Sequence, residues 1–436
     1  MGSREQKRSG LEAAISRTLD KRRSQSTIRQ LTTSGPSSVD FSSNDFLSLA
    51  SNAGLRELFL EELQRGPVET GSGGSRLLDG NSTYAENLER QIAAFHRAPA
   101  GLLCNSGFDA NVGLFSCLPQ PGDVIAYDEL IHASVHDGMR LSRAEKCVYF
   151  AHNDMTALKN LLQSLLKDHA IRAGRKNVFV AVETIYSMDG DIAPLVEIVR
   201  LMKETFTAGN GYLIVDEAHS TGCFGPKGRG IVSELGLEGE VAVKLHTFGK
   251  ALACNGAILL CSPVIREYLI NYARPLIYTT FMSYPALAAI RASYQYLEEG
   301  KTEILAADLK MLIDALHSRL LALQERLDFG TEAAQDEERP RPVELLRVSR
   351  ECPQSPIFSV LSAEPKSLAA YCQRSGFMVR GIVPPTVPSG AERIRICLHA
   401  GNTVPQIESL VECIRRWVLT RRKESHETAP EERARL

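Results

Sequence analysis

Tyr212-Leu-Ile-Val-Asp-Glu-Ala-His219 and His246-Thr-Phe-Gly-Lys250 are the two stretches on which the reading of this chain turns. In the first, Leu213, Ile214 and Val215 make an unbroken apolar run that stops at Asp216, the pattern of a strand buried on both faces of a parallel sheet. In an open parallel sheet, ligands sit beyond the carboxyl ends of the strands, so Asp216 arrives at the mouth of the sheet. A bare carboxylate buried there costs several kcal/mol unless a cation meets it. A protonated pyridine nitrogen is such a cation, and Lys250 could hold the same ring through a Schiff base. Singly, an Asp capping the next helix and a Lys on a surface loop are the commoner readings. The surroundings of these two reverse that.

Working outward, strands alternate with helical stretches. Asp123-Val-Ile-Ala-Tyr-Asp128 and Val178 to Thr184 read as buried strands, and Lys244–Thr247 and Gly256–Cys261 as two more. Between them, Asn153-Asp154 caps a helix carrying Leu158, Leu161, Leu162 and Leu165, and another helix runs from Leu195 to about Phe206. This alternation predicts an α/β fold with a mainly parallel sheet flanked by helices. Residues 283–327 read as one long helical pattern, 331–342 as a solvated loop. The segments after it predict a smaller α+β domain. The expected division is an N-terminal helix and connector (1–45), a large domain (46–285), a small C-terminal domain (286–421) completed by part of the N-terminal segment, and a disordered tail (422–436).

The 436 residues, 44% hydrophobic and 23% charged, suffice for more than one core. A net charge of −2 gives no field for capturing nucleic acid or an anionic membrane, so neither is an expected partner. The ten cysteines are scattered without C-x-x-C or metal-ligand spacing, which predicts reduced core cysteines and no metal site. No apolar stretch reaches bilayer length, and the polar N-terminus resembles no secretory signal. The chain ends Ala434-Arg435-Leu436, a variant of the S-K-L address, so a peroxisomal import receptor is an expected partner and the peroxisome the expected location, with the cytoplasm as the alternative.

Several residues suit one flat, phosphorylated, cationic ring. Asp216 would hold the ring nitrogen protonated, His219 could hydrogen-bond a phenolic oxygen, and His132 could lie on the ring face. Ser106, Gly107 and Phe108 open a helix whose free N–H groups, with Thr247, could receive a phosphate. Lys250 would carry the aldehyde carbon. Glu183, at the end of its strand, either contacts the cofactor or caps the strand.

Asn44-Asp-Phe-Leu47, Thr70–Arg76, Asn105-Ser-Gly-Phe108, His132-Ala-Ser134, Ser187-Met-Asp-Gly190, Asp216-Glu-Ala-His219, Thr247-Phe-Gly-Lys250 and Pro384-Pro-Thr-Val-Pro388 followed by Arg393-Ile-Arg395 stand in the order found in one family. Over roughly residues 11–420 the chain resembles the α-oxoamine synthases, fold-type I enzymes that use pyridoxal 5′-phosphate (PLP). The resemblance implies Lys250 as the Schiff-base lysine, Asp216 as the pyridinium partner and His132 stacked on the ring. Gly107, Phe108, Ser187, His219 and Thr247 would surround the cofactor. It places Arg29 and Thr386 on the substrate side and Arg395 at the amino-acid carboxylate, a task suited to a bidentate guanidinium. It further implies a homodimer in which Asn44, Ser75 and Thr280 act on the partner's site. The chain departs from the family at Tyr84, where a His is frequent, at Ala253, where a Gly is usual, and at Val383, where bacterial members carry Arg.

The implied reaction is a decarboxylative Claisen condensation of an amino acid with an acyl-CoA, giving an α-amino ketone, with alanine and pimeloyl-CoA in biotin synthesis as the leading pair. Val383 leaves open the same chemistry with a polyketide or long-chain acyl thioester. A PLP aminotransferase and a non-catalytic binding protein of the same fold are the other readings.

Overall fold

The computed structural model describes residues 9–25, 27–33, 35, 37–66, 70–332 and 345–433, without the side chains of 328–332 and 425–433. Two compact units separate at Ser38, the first Met1–Ser38 and the second Val39–Leu436. In the first, the helix Gly10–Ser24 begins with a capping box: Glu12 N–H donates to the Ser9 hydroxyl at 3.3 Å, and Ser9 N–H to Glu12 Oε2 at 3.0 Å.

The described residues of the second unit form twelve strands: β1 (Val39–Asp40), β2 (Ala100–Cys104), β3 (Val124–Asp128), β4 (Lys146–Phe150), β5 (Val178–Glu183), β6 (Gly211–Asp216), β7 (Val243–Thr247), β8 (Ala257–Cys261), β9 (Ile357–Leu361), β10 (Phe377–Met378), β11 (Arg380–Ile382) and β12 (Arg393–Cys397). Seven form one sheet in the order β2-β8-β7-β6-β5-β3-β4, parallel except that β8 runs against both its neighbours. Its inner strands are buried on both faces, as their continuous apolar runs require, while the edge strand β4 is largely exposed. Val178, Val180 and Val182 of β5 join Leu213 and Val215 of β6 in one core, while Phe179, Ala181 and Ile214 point into another across the sheet. Each of these side chains larger than alanine contributes about 1.5–3 kcal/mol by leaving water.

β9, β11 and β12 form a three-stranded antiparallel sheet, and β1 pairs with β10 in parallel. Both lie in the same compact unit as the large sheet. The long helical stretch expected over 283–327 is made of two helices, Tyr284–Glu298 and Lys301–Glu332, divided at Gly300 with φ of +73°. That backbone conformation favours glycine and ends a helix. The last helix, Val404–Arg433, runs past the residue at which the sequence predicted a disordered tail. Arg415 and Arg416 pair with Glu412, and Arg421 with Glu424 one turn on, which explains how a charged stretch stays helical. Residues 434–436 and most of the predicted 331–342 loop lie outside the described residues.

The ten cysteines are unpaired, six of them buried, while Cys147 and Cys352 are exposed. Among the described residues, no helix is long and apolar enough to cross a membrane and no cluster of side chains could hold a metal ion.

Candidate active site

The carboxyl ends of β5 and β6 lie side by side, and their register sets Glu183 beside Asp216. Two acids so placed do not both ionise readily. Burial and the neighbouring Asp216 charge push the Glu183 carboxyl well above the ordinary range. Asp216 is only 8% exposed. Its Oδ1 accepts from the Ala218 N–H at 2.9 Å and its Oδ2 from Asn111 Nδ2 at 2.9 Å.

Asn111 also donates to Ser134 Oγ at 3.0 Å, and Ser134 Oγ lies 2.7 Å from His132 Nδ1. Asp216, Asn111, Ser134 and His132 thus form one polar chain, which fixes the imidazole at the start of the helix Ala133–Arg140. Neither Asn111 nor Ser134 was assigned a role from sequence. The legible signal was Asn111 itself, one turn after Gly107 on the face that buries Ala110, Leu114 and Phe115.

Lys250 reaches the same place from the loop after β7. Its Nζ lies 2.8 Å from His219 Nε2. Desolvation lowers the Lys250 amine to about 8, against the pull of Asp216 and Glu183. Burial also holds His219 well below its usual value, so the imidazole is neutral and Nε2 can accept from the amine. Among the described residues its Nδ1 has no hydrogen-bond partner, nor has Glu183 Oε1.

Beside them begins the helix Gly107–Cys117. Ser106 caps it, accepting from Asp109 N–H at 3.0 Å and donating to Asp109 Oδ2 at 2.9 Å. A Cβ on Gly107 would come within 3.2 Å of Thr247 Cβ and 3.3 Å of its Oγ1, so the helix start and the end of β7 meet closely. Such a start offers free N–H groups to an anion. Phe108 is exposed, its ring edge-on to His132 at 6.5 Å.

Two arginines approach from β12, and their partners separate them. Arg393 is ion-paired with Asp189. Arg395, also buried, donates to Ser187 O at 2.7 Å and Asn44 Oδ1 at 3.0 Å. Among the described residues no carboxylate pairs with it, so its charge is open to an incoming anion.

The family model for aminotransferases of class I and II matches residues 36–414. The chain belongs to this family. Within it, the chain is an α-oxoamine synthase: it is 52% identical to an 8-amino-7-oxononanoate synthase of Emericella nidulans, across 94% of this chain and 96% of that one. It is 37% identical to an aminoacyl transferase, sphA, of Aspergillus fumigatus, across 91% and 85%. Among solved structures, an 8-amino-7-oxononanoate synthase from Francisella tularensis matches with a TM-score of 0.67 at 27% identity, covering 89% of this chain and 99% of that one. A serine palmitoyltransferase from S. paucimobilis shares the fold, with a TM-score of 0.76 at 24% identity and 94% and 98% coverage.

The residues of this α-oxoamine synthase fit PLP on their own chemistry. An amine near neutrality, a buried carboxylate, an orphan imidazole nitrogen and an open helix start answer an aldehyde, a ring nitrogen, a phenolic oxygen and a phosphate. The other predicted residues have contacts of their own. Ser75 and Thr280 pair with each other in an isolated bridge, and Asn105 Nδ2 holds Thr280 O at 2.6 Å. Thr386 is exposed on the loop between β11 and β12, its N–H on Val383 O at 3.1 Å. Arg29 lies in the N-terminal unit. Asn44, implied to serve the partner's site, contacts Arg395 of its own chain. Tyr84, one of the departures, donates to Glu62 at 2.7 Å, and Ala253, another, adopts φ of +52°, where a glycine would be unstrained.

Proposed function

We propose that this α-oxoamine synthase condenses L-alanine with pimeloyl-CoA, releasing CoA and CO2 and giving 8-amino-7-oxononanoate for biotin synthesis. The observation that carries the reading is 52% identity, over 94% of the chain, to a protein of that name. The convergence of Lys250, Asp216 and Arg395 supports it. PLP, when bound, supplies a ring that takes up the electrons of a broken Cα bond.

Asp216 would hold the ring nitrogen, its carboxylate kept in place by Asn111 and the Ala218 N–H. Lys250 would hold the aldehyde carbon, His132 the ring face, and Ser106, Gly107, Phe108 and Thr247 the phosphate. Arg395 binds the amino acid's carboxylate with two parallel hydrogen bonds. Lys250 is the base at Cα: desolvation brings the amine down to about 8, so a usable minor fraction is unprotonated near neutral pH, as general-base catalysis requires. Neutral His219, 2.8 Å away, accepts from Nζ and keeps it aimed. The Cα–H bond breaks, a C–C bond forms to the thioester carbonyl, thiolate leaves, CO2 departs, and Lys250 returns the proton to Cα.

The test is a substrate panel on the purified holoenzyme, reading CoA and CO2 release. Pimeloyl-CoA with L-alanine should give the highest kcat/KM. A larger value with a long-chain acyl-CoA would replace the acyl assignment, a reading that Val383 and the sphA relatives favour. Turnover without CO2, dependent on a keto acid, would mark an aminotransferase.

We also propose that the chain works as a homodimer and that Ala434-Arg435-Leu436 is read by a peroxisomal import receptor, since chain-shortening of fatty acids there would supply the acyl-CoA. Light scattering should give twice the 47.9 kDa chain mass. A fluorescent fusion should be punctate and become diffuse on deleting the tripeptide; diffuse signal from the intact chain would defeat the targeting proposal.

A further inference from the structure

The turn that carries Ser187 is held from its far side by a histidine that touches no predicted site residue. Residues 186–191 fold back on themselves: Gly190 N–H donates to Tyr186 O at 2.8 Å, and Tyr186 N–H to Asp191 O at 3.1 Å. On one flank, Ser187 O receives Arg395 and Met188 O receives Arg393. On the other, Asp191 Oδ2 accepts from His152 Nε2 at 2.7 Å and from Asn153 Nδ2 at 2.5 Å. The second ring nitrogen of His152, Nδ1, lies 2.8 Å from Oδ1 of Asp128, the fully buried last residue of β3.

With a carboxylate at each nitrogen, both nitrogens must donate, so the ring is an imidazolium whichever tautomer its neutral form would take. The acids are the cause: bonds from Asp128 and Asp191 outweigh desolvation and raise His152 to about 10. Glu129 accepts from the His152 backbone N–H at 2.9 Å, and the ring packs edge-on to Tyr186 at 4.4 Å. The imidazolium is therefore a charged rivet between a rigid strand end and a loop. Ser355 Oγ, donating to Gly190 O at 2.6 Å, gives the turn a second anchor, so losing the rivet should loosen it without unfolding it.

We propose that His152 is a positioning residue for amino-acid binding: clamped between Asp128 and Asp191, it fixes the 186–191 turn whose Ser187 carbonyl aims Arg395 at the substrate carboxylate. The inference rests on the reading of Arg395 given above. A displacement of about 1 Å at such a contact can change the rate about 10²-fold. The effect falls on the amino acid and spares the acyl-CoA.

The test uses holoenzyme carrying His152→Gln, Asp191→Asn, Arg395→Gln and the double variant H152Q/R395Q. H152Q and D191N should each raise the L-alanine KM about tenfold, with the acyl-CoA KM within about twofold and the cofactor's absorbance retained. R395Q should raise the alanine KM further, and H152Q should add nothing in its background, the signature of one acting through the other. If R395Q raises the alanine KM while H152Q and D191N leave it within about twofold, the clamp is not a positioning device, whatever Arg395 does. Independent, multiplying effects in the double variant overturn it too. An R395Q enzyme with unchanged alanine KM removes the carboxylate reading and this proposal with it. Should H152Q not fold, D191N, which removes one arm of the clamp, decides alone.

Discussion

Asp216, Lys250, His132 and His219 surround the mouth of the sheet; Glu217, Lys244, His96 and His246 lie close by in sequence and have the same chemical inventory. In the second group every valence is turned inward. Glu217 accepts from the N–H groups of Ile231 and Val232, both at 2.9 Å, and from the Ser220 hydroxyl. Lys244 donates to His96 O at 3.2 Å. The two imidazoles stack at 3.9 Å, His96 bonding Tyr294 and Arg229 O, and His246 bonding Thr221. His246 Nε2 goes unpaired, yet the residue is wholly buried. In the first group His132 is exposed and Lys250 half-buried, while Asp216 and His219 are buried behind them. An acid, a lysine and two histidines therefore make a site only where the strand ends leave them reachable.

Exchanging lysines is the severest test of that contrast. Lys250→Ala should lower kcat by at least about 10⁴-fold while the protein stays folded, because base and cofactor anchor go together. Lys244→Met should keep kcat within about threefold and change stability by only about 1 kcal/mol, since what it removes is one hydrogen bond to His96 O. Steady-state rates and urea midpoints measure both, and an active K250A would abolish the distinction.

The acids come next, being consecutive residues with opposite duties. Asp216→Asn should cost about 10³-fold in kcat with little change in alanine KM, as expected for an interaction made in the transition state. Glu217→Gln should leave rate per folded molecule intact and lower the unfolding free energy by about 2 kcal/mol, because an amide cannot accept all three bonds. Rate loss in E217Q matching that of D216N would make the pair one functional unit.

What the sequence disclosed follows the same division. The apolar runs of β5 and β6 and the acid closing each were legible, because burial on two faces imposes unbroken hydrophobicity and a strand end imposes a break. The two-helix split at Gly300 was not, since a single glycine inside an otherwise helical period carries little local signal. Nor was the Asn111–Ser134 link. A polar residue on an apolar helix face marks a buried partner without saying which of many distant groups it meets. Arg393 and Arg395 share one face of one strand; the resemblance singled out Arg395, but the physical difference between them, the Asp189 that pairs with Arg393, is a tertiary contact no local pattern carries.

The Asn111 link gives a smaller effect. Asn111→Ala removes one hydrogen bond from the Asp216 carboxylate and frees Ser134, so kcat should fall about tenfold, the measure of one charged hydrogen bond. The His132 pathway should respond in step: Ser134→Ala should be weaker than N111A, and the two together no worse than N111A alone. Additive losses would mean that the chain from Asp216 to His132 is a coincidence of packing.

The slightest effect, and the sharpest in sign, is the response of stability to pH in two cations, Lys250 and His152. In the cofactor-free protein Lys250 titrates at about 8 when folded, against 10.5 for an ordinary lysine. Between those values the unfolded chain holds a proton the folded one has released, so this group's penalty is full below about 8 and fades as pH rises. His152 has the reverse shift, to about 10 from 6.5, so its contribution is full below about 6.5 and is lost as pH rises through 10. Lys250→Met should therefore be more stable than the wild type at pH 7, and His152→Gln less stable, both differences shrinking towards pH 10. Urea midpoints at pH 6.5, 8 and 10 read the two curves directly. A K250M protein less stable than the wild type at pH 7 would mean that Asp216 and Glu183 outweigh desolvation, and the amine would then be protonated where the chemistry needs a base.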